Sequence, residues 1–592
     1  MYLLYLLLPL LLGALAAFIC SFSSGAWRYS KYAGLGGAVA SSLLTLFAFL
    51  KQNTIQLGQL QWFTAFHSTF AISLSFGYIN QVLLAVVAVI SPLIFFYSIG
   101  YMDVPEENSR YYAELSLFAA SMMLLAVSGG FITLFIAWEG LGITSYLLIG
   151  FWTNKDAPQY AARKAITTII IGDMMMLSGI LVIFASLNTF NFSTMISEIA
   201  AMSTVPISIV AAFVLIILGA FTKSAQFPFH EWLSDAMEGP TPVSAFLHSS
   251  TMVKAGVFVV ALLLPILAQL GLLNMILVFG IISAVIGALN AAGSTHIKKI
   301  LAYSTIEDLG LMFIAIGLNA LAAAMVLFIV QALYKALLFM NAGSIMKAND
   351  EETDLYKVSS FSKNRLLFAT ALIGALSIAG IFPFSGFFGK LAVDSAGLSN
   401  STVYIVLIVL DFATGFYIFR WLFIPEKNEK KDSEIRLRAK YASQPKSMTV
   451  SQVILAALVI FLTALFLYTN IEVNVGAAIV LTAGAGFGIL SAYLLFWRLA
   501  GLAWERSRTR NFLSKGFFVN AAYLAIAKGT RALSTAIEEI DYFINRIVYL
   551  GAFGVADLGN SIRRSETGIV NFYAAAVAIG IFMMLLLLVL LV

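Results

Sequence analysis

Phe221-Thr-Lys-Ser-Ala-Gln-Phe-Pro-Phe-His-Glu-Trp-Leu-Ser-Asp-Ala-Met-Glu-Gly-Pro-Thr-Pro-Val-Ser-Ala-Phe-Leu-His-Ser-Ser-Thr-Met-Val-Lys254 sets lysines, acids, histidines and prolines inside sequence otherwise apolar enough for lipid. An ionised side chain at mid-bilayer costs at least about 2.5 kcal/mol unless it is paired or wetted, so this cluster marks working machinery rather than an anchor. The rest of the chain has the composition this implies. Of 592 residues, 60% are hydrophobic and 11% charged, and the mean hydropathy is +0.93. Soluble domains are far more polar than this. An all-α polytopic membrane protein is expected, because helices satisfy their own backbone in lipid.

Composition also excludes functions. A single cysteine, Cys20, and histidines at 67, 230, 248 and 296, none four residues from another, give no iron–sulfur, haem or zinc pattern. Redox chemistry would belong to partners. The net charge of +5 is spread over particular loops rather than one face, which reads as topology bias and not nucleic-acid binding. The run 1–18 lacks a basic opening and is expected to stay as a helix rather than act as a cleaved signal.

Apolar runs of spanning length fall near 2–21, 32–51, 79–100, 111–127, 130–150, 162–185, 206–225, 241–269, 272–292, 298–317, 320–346, 365–397, 402–423, 450–469, 474–498 and 569–591. That gives about sixteen spans. Threading them alternately puts Arg28 and Lys31, Lys155, Arg163 and Lys164, Lys298 and Lys299, the 347–365 loop, Lys427–Lys446 and Arg506–Lys515 on one side. The positive-inside bias then places the N-terminus outside and these loops in the cytoplasm of a cell's inner membrane. Outside lies 52–77, whose alternation around Leu60–Phe66 suggests a short hairpin.

Pro228 and Pro383 each remove a backbone donor and clash with the preceding turn, so each is expected to split its helix. Backbone freed at that depth survives where it is buried in protein or lines a wet cavity. Lys223 precedes the first break and Lys390 follows the second. One broken segment in each half predicts two inverted repeats, 111–269 and 272–423, with the transport site at the broken helices. Around them stand N-terminal helices and the hairpin, 1–110, a loop with two further helices, 424–515, and an anchoring helix, 569–592. The segment 516–568 is too charged to span and too apolar to be a free tail. Over 516–563 it reads as an amphipathic helix along the membrane, on the order of 70 Å long at 1.5 Å per residue. Gly551 and Gly554 suggest a break in it.

The intramembrane charges are the candidate site residues. Glu139, in Ala-Trp-Glu-Gly-Leu-Gly, is either a structural ion-pair member or one end of a proton-loading pair with Lys223. His248 alone reads equally well as a hydrogen-bonded core residue or a relay, and Lys254, six residues on, tips it toward relay. Lys335 and Lys390 extend the set into the second half, with snorkelling to an interface as the alternative. Asp173 and Arg420 are single polar residues in apolar runs, open to a helix-packing ion pair or a snorkelling end. Glu307 and Asp308 are adjacent, hence about 100° apart on a helix, so at most one faces a given channel. One of them is expected to work against a lysine.

These residues stand in ordered motifs: Ala137-Trp-Glu-Gly-Leu-Gly-Ile-Thr-Ser-Tyr-Leu-Leu-Ile-Gly-Phe-Trp152, Lys223-Ser-Ala-Gln-Phe-Pro, Asp235-Ala-Met-Glu-Gly-Pro-Thr-Pro-Val-Ser-Ala, Leu301-Ala-Tyr-Ser-Thr, Lys335-Ala-Leu-Leu-Phe and Gly386-Phe-Phe-Gly-Lys390. Over most of its length the chain resembles the antiporter-like, lateral-helix-bearing subunit L (ND-five) family of respiratory complex I. The resemblance implies that Glu139 and Lys223 pair in a first half-channel. His248, Lys335 and Lys390 would continue a hydrated axis, and Asp173 would communicate with a neighbouring subunit. It also implies that 516–563 is the lateral helix lying along other antiporter-like subunits, while iron–sulfur, flavin and quinone sites sit in partner chains. The sequence departs from the family pattern in places. Gln331 and Leu327 stand where histidines are usual, Lys254 where threonine is common, Glu307-Asp308 in place of Ser-Gln, and Leu391 where an acid often follows the lysine.

Three functions compete. The first is a non-redox, proton-translocating subunit of an NADH:quinone oxidoreductase-type respiratory translocase, favoured by the lateral stretch. The second is a subunit of a multisubunit Na⁺/H⁺ antiporter, favoured by Lys254. The third is a structural clamp with a closed channel, against which the full set of buried charges argues.

Overall fold

The computed structural model describes residues 2–22, 25–51, 59–65, 68–102, 107–358, 364–431, 444–469, 473–498, 507, 510, 512–513, 519–565 and 570–591. His67, most of the 427–446 loop, and 516–518 and 566–569 at the ends of the lateral segment lie outside them. Two units emerge, Met1–Phe517 and Phe518–Val592, so both expected repeats fall within the first.

The chain is helical almost throughout. Its helices are α1 (Leu8–Ile19), α2 (Trp27–Leu50), α3 (Tyr78–Tyr101), α4 (Asn108–Ala126), α5 (Phe131–Ile149), α6 (Asp156–Leu187), α7 (Phe192–Ala200), α8 (Ile207–Lys223), α9 (Glu231–Asp235), α10 (Thr241–Ser249), α11 (Met252–Leu262) and α12 (Leu264–Gln269). The second half follows with α13 (Leu273–Gly293), α14 (Ile297–Gly317), α15 (Leu321–Ala348), α16 (Arg365–Ile378), α17 (Ser385–Gly397), α18 (Ser401–Lys431), α19 (Lys446–Tyr468), α20 (Val475–Ala492), α21 (Val519–Ser565) and α22 (Val570–Leu591). Among the described residues, twelve helices are long and apolar enough to cross a membrane. The apolar runs read from the sequence all fall on helix, several of them on shorter or interrupted pieces. The expected hairpin is present as β1 (Gln59–Ala65) paired antiparallel with β2 (Ser68–Ser73), with Leu60 opposite Ile72 and an irregularity between Gln61 and Phe63.

Burial is unequal, and that decides where charges can sit. Nearly all of α14 and of the α10–α11 segment is enclosed by other helices, and most of α15 is, while α1, α2, α19 and α20 turn large apolar side chains outward. Helices α13 and α14 pack closely because Gly280, Gly287 and Gly310 have no side chain. A methyl group on Gly287 would stand 2.6 Å from the backbone nitrogen of Glu307. The wall carrying Glu307 and Asp308 is therefore held at backbone contact distance.

Both proline-marked segments are interrupted as expected. Helix α8 stops at Lys223, the chain turns through 224–230, and α9 resumes; α16 stops at Ile378, and α17 begins after 379–384. The freed backbone finds local partners, since Phe227 N donates to Ser283 Oγ at 2.9 Å and Gly386 N to Ser377 Oγ at 3.1 Å. Gly380 lies at φ +72°, and a Cβ there would also press within 3.1 Å of the Lys390 stem. A third interruption, at Ser250–Thr251 between α10 and α11, was not marked by proline or glycine. Here Thr251 Oγ1 donates to the Phe246 carbonyl at 2.7 Å, so a hydroxyl takes over from a helical amide. His248 and Lys254 stand on opposite sides of this interruption.

In the second unit α21 is one uninterrupted helix of 47 residues, so the break expected at Gly551 and Gly554 does not occur. Each glycine costs only about 1 kcal/mol against alanine in a helix. Leu533, Ile537, Ile540, Ile544, Ile547, Gly551, Val555, Leu558 and Ile562 recur at three- and four-residue spacing and form one apolar stripe.

Candidate functional site

The four candidate lysines, Lys223, Lys254, Lys335 and Lys390, are buried, and all but Lys254 have a carboxylate within ion-pair distance. In the first half Lys223 Nζ lies 3.5 Å from Asp173 Oδ1 and donates to the Trp138 carbonyl at 2.5 Å. The Trp138 ring lies 4.3 Å below the ammonium, and its indole NH donates to the same Asp173 oxygen at 2.6 Å. Asp173 thus takes the place expected for Glu139. Glu139 makes no ion pair among the described residues, and its Oε1 is buried without a hydrogen-bond partner. It stands one residue beyond the carbonyl that holds Lys223 and remains near enough to interact with that charge.

In the middle, His248 is fully buried, both ring nitrogens lack partners, and the ring lies against Phe339 at 4.6 Å. Gln331 Nε2 donates to the His248 carbonyl at 3.3 Å, and Gln331 Oε1 has no partner. Lys254 is the exception among the lysines. Its ammonium donates to the Phe328 carbonyl and sits 4.2 Å from the Phe328 ring, with no carboxylate within ion-pair distance among the described residues.

In the second half Lys335 Nζ is 3.1 Å from Asp308 Oδ2 and 2.5 Å from Ser304 Oγ, and Tyr334 OH donates to the same Asp308 oxygen at 3.1 Å. Glu307 turns the other way, accepting from Thr414 Oγ1 at 2.5 Å and Tyr417 OH at 2.7 Å. The two adjacent acids therefore divide between two neighbours, as their angular separation requires. Lys390 Nζ lies 3.3 Å from Asp411 Oδ1 and donates to Thr414 Oγ1 at 2.9 Å. Both Lys335 and Lys390 are enclosed, so neither snorkels.

Arg420 is fully buried and has no ion-pair partner among the described residues. Its guanidinium is buried and donates to the carbonyls of Ala292 at 2.6 Å, Ala291 at 3.4 Å and Ser294, gathering the orphan acceptors at the C-terminus of α13. Charged hydrogen bonds contribute about 1.5–3 kcal/mol each. Arg420→Met is therefore expected to lower the unfolding temperature of the complex and its yield, with transport per assembled complex retained. A melting curve like wild type would remove this role. His296 is likewise structural. Its Nδ1 accepts from the amides of Lys298 at 3.2 Å and Lys299 at 3.4 Å to cap α14. Burial, then the nearby Lys298 and Lys299, push its pKa down to about 3, which keeps the acceptor neutral.

Sequence reading missed Asp411 and Asp394. Asp411 meets the same criterion that picked out Asp173, a lone carboxylate in an apolar run, and Asp394 stands four residues after Lys390, on the same helix face. Among the described residues no three His, Cys, Asp or Glu side chains gather as metal ligands would.

Residues 128–416 match the transmembrane profile of the NADH:quinone oxidoreductase/Mrp antiporter family, and the chain is 31% identical over 566 residues to NADH-quinone oxidoreductase subunit L of Campylobacter jejuni, covering 91% of this chain and 92% of that one. The chain belongs to this family. Every buried lysine described above except Lys390 and Lys223 lies within α11 or α15, and all four fall inside the region the family profile matches. The family's fold is also seen in the Mrp complex from Dietzia sp. DQ12-45-1b, with a TM-score of 0.75 at 23% identity over 90% of this chain and 60% of that longer one. The membrane-bound sulfane sulfur reductase, an archaeal respiratory membrane complex, contains a similarly folded chain, with a TM-score of 0.69 at 19% identity over 83% of this chain and 99% of that one.

Proposed function

We propose that this chain is a proton-translocating, non-redox membrane subunit of a complex I-like quinone oxidoreductase. The observation that supports it most is the succession of enclosed lysine–carboxylate pairs, Lys223–Asp173, Lys335–Asp308 and Lys390–Asp411, the first and last of which have their lysines beside the proline-marked helix interruptions. Closing a pair favours its charged forms, and separating it raises the acid's affinity for a proton and lowers the lysine's. A charge change at one end of such a row shifts protons along it, which needs no redox group in this chain. Lys223 is suited to the first step because the Trp138 carbonyl holds it between Asp173 and the neighbouring Glu139. His248, Gln331 and Lys254 then bridge the halves at the α10–α11 interruption.

In this reading 111–269 and 272–423 are the two inverted repeats. The N-terminus faces outward, the basic loops face the cytoplasm of the inner membrane, and α21 lies along other antiporter-like subunits through its apolar stripe. Electron carriers, quinone included, belong to partner chains. Purifying the complex that contains this chain and reconstituting it in vesicles tests the reading. Iron–sulfur partners and donor-driven proton uptake are expected, and a complex without redox subunits that exchanges Na⁺ for H⁺ on an imposed gradient overturns it. That second outcome is the antiporter reading, which Lys254 favours because the sequence there is more like the stand-alone multisubunit Na⁺/H⁺ antiporters.

A further inference from the structure

Lys390 meets more negative charge than it can balance. Asp411 Oδ1 is its 3.3 Å partner, and Asp394, four residues along the same helix, is buried with its carboxyl in hydrogen-bonding reach of the Asp411 carboxyl. Glu307 is linked to the same lysine through Thr414, whose Oγ1 lies 2.9 Å from Lys390 Nζ and 2.5 Å from Glu307 Oε1. With all groups ionised, three carboxylates would surround one ammonium. Glu307 is served by two hydroxyls, Thr414 and Tyr417, but Asp411 Oδ2 is buried and has no donor among the described residues. Two carboxylates facing each other in a low-dielectric interior cannot both stay ionised. A proton between them supplies the missing donor.

We infer that Asp394 and Asp411 hold one proton in common and are the last proton station before the face carrying the 398–400 turn. This deepens the proton-translocation reading and rests on it for the direction of flow. Asp411 lies about 15 Å along α18 from its start, counting ten residues at 1.5 Å each, and Asp394 lies three residues before the end of α17. Tyr404, two turns nearer that start, is half-exposed and in electrostatic contact with both acids. Lys390, like Lys223 and Lys335, has one carboxylate within ion-pair distance, and what sets this end of the row apart is a second buried acid, Asp394, in hydrogen-bonding reach of the first.

The steps balance. The shared proton leaves to water, and two carboxylates remain beside the Lys390 ammonium. That ammonium returns a proton to Asp411 and becomes an amine. A proton arriving at Glu307 along the central axis then moves on through Thr414, whose hydroxyl gives its own proton to the amine and takes the arriving one, and Glu307 returns to the carboxylate that accepts from Thr414 and Tyr417. Thr414 ends unchanged.

Infrared difference spectroscopy on the purified complex tests the pair apart from transport, because a protonated carboxyl has a C=O stretch well separated from carboxylate bands and shifted in D₂O. Wild type is expected to show such a band, lost in both Asp394→Asn and Asp411→Asn, where the remaining acid is ionised against Lys390, and retained in Asp411→Glu. In vesicles the two asparagine variants are expected to pump about tenfold or more slowly, a barrier change of about 1.4 kcal/mol, and Asp411→Glu to recover most of the rate. A band unchanged in both asparagine variants overturns the shared proton. If the band behaves as expected but wild-type vesicles translocate no protons, the shared proton stands and the transport reading falls.

Discussion

Lys223→Met is expected to slow proton transport by the reconstituted complex about tenfold or more, equivalent to about 1.4 kcal/mol on the limiting step, while the subunit still assembles. The side chain fills a similar volume, so packing survives. Asp173 then keeps only the Trp138 indole as a partner, and an acid without its ammonium holds a proton it no longer releases on cue. Asp173→Asn is expected to be as severe, because Lys223 would be left with a carbonyl and a ring. Lys223→Met with Asp173→Asn should be no worse than either alone, as befits two halves of one device. Additive losses would mean that the residues act separately. Glu139→Gln is expected to slow transport less than Lys223→Met, since Glu139 is not in the resting pair. Wild-type transport in both Glu139→Ala and Lys223→Ala would remove the loading step altogether.

The second large effect is expected at the centre of the second half. Lys335→Met leaves Asp308 with the Tyr334 hydroxyl and only the more distant charges of Lys254 and Lys390, and about a tenfold or greater loss of pumping follows by the same argument. Asp308→Asn separates the roles of the adjacent acids. It removes the Lys335 partner and leaves Glu307 on Thr414 and Tyr417. Glu307→Gln instead keeps an oxygen for Thr414 to donate to but removes the carboxyl that could pass a proton through Thr414 to Lys390. If the double change Glu307→Gln with Asp308→Asn pumps normally, neither acid carries protons and the second half works without them.

Which charged residues lie within the apolar helices was legible in the sequence; which residues touch was only partly so. Lipid incompatibility is a property of one residue in its run, and it picks out Glu139, Lys223, His248, Lys254, Lys335 and Lys390 without a structure. Pairing depends on how each helix is rotated about its axis, and the low amphipathicity of a helix such as α14, apolar on every side, leaves no record of that rotation. Asp173 for Glu139 is an exchange of that kind. The proline breaks could be read because proline removes a donor wherever it falls. The Ser250–Thr251 break could not, because serine and threonine reveal whether they replace a backbone bond only in three dimensions. Arg420 looked like half of an ion pair because sequence shows charges, whereas its partners are main-chain carbonyls. Gly551 and Gly554 misled in the opposite direction, since a weak helix former in a long helix is outvoted by its neighbours.

The backbone contact between α13 and α14, with the Arg420 clamp at its end, fixes the acids while the lysines keep long stems. The mobile charge in the second half is therefore positive and moves only as far as a side chain swings. A displacement of about 3 Å crosses about a tenth of a hydrocarbon core of about 30 Å. Against a membrane voltage of about 100 mV each swing then does work of only about 0.2 kcal/mol. Electrical back-pressure on such a protein is divided into steps smaller than thermal energy, so a charged membrane should slow the row of pairs gradually rather than stall it at one point.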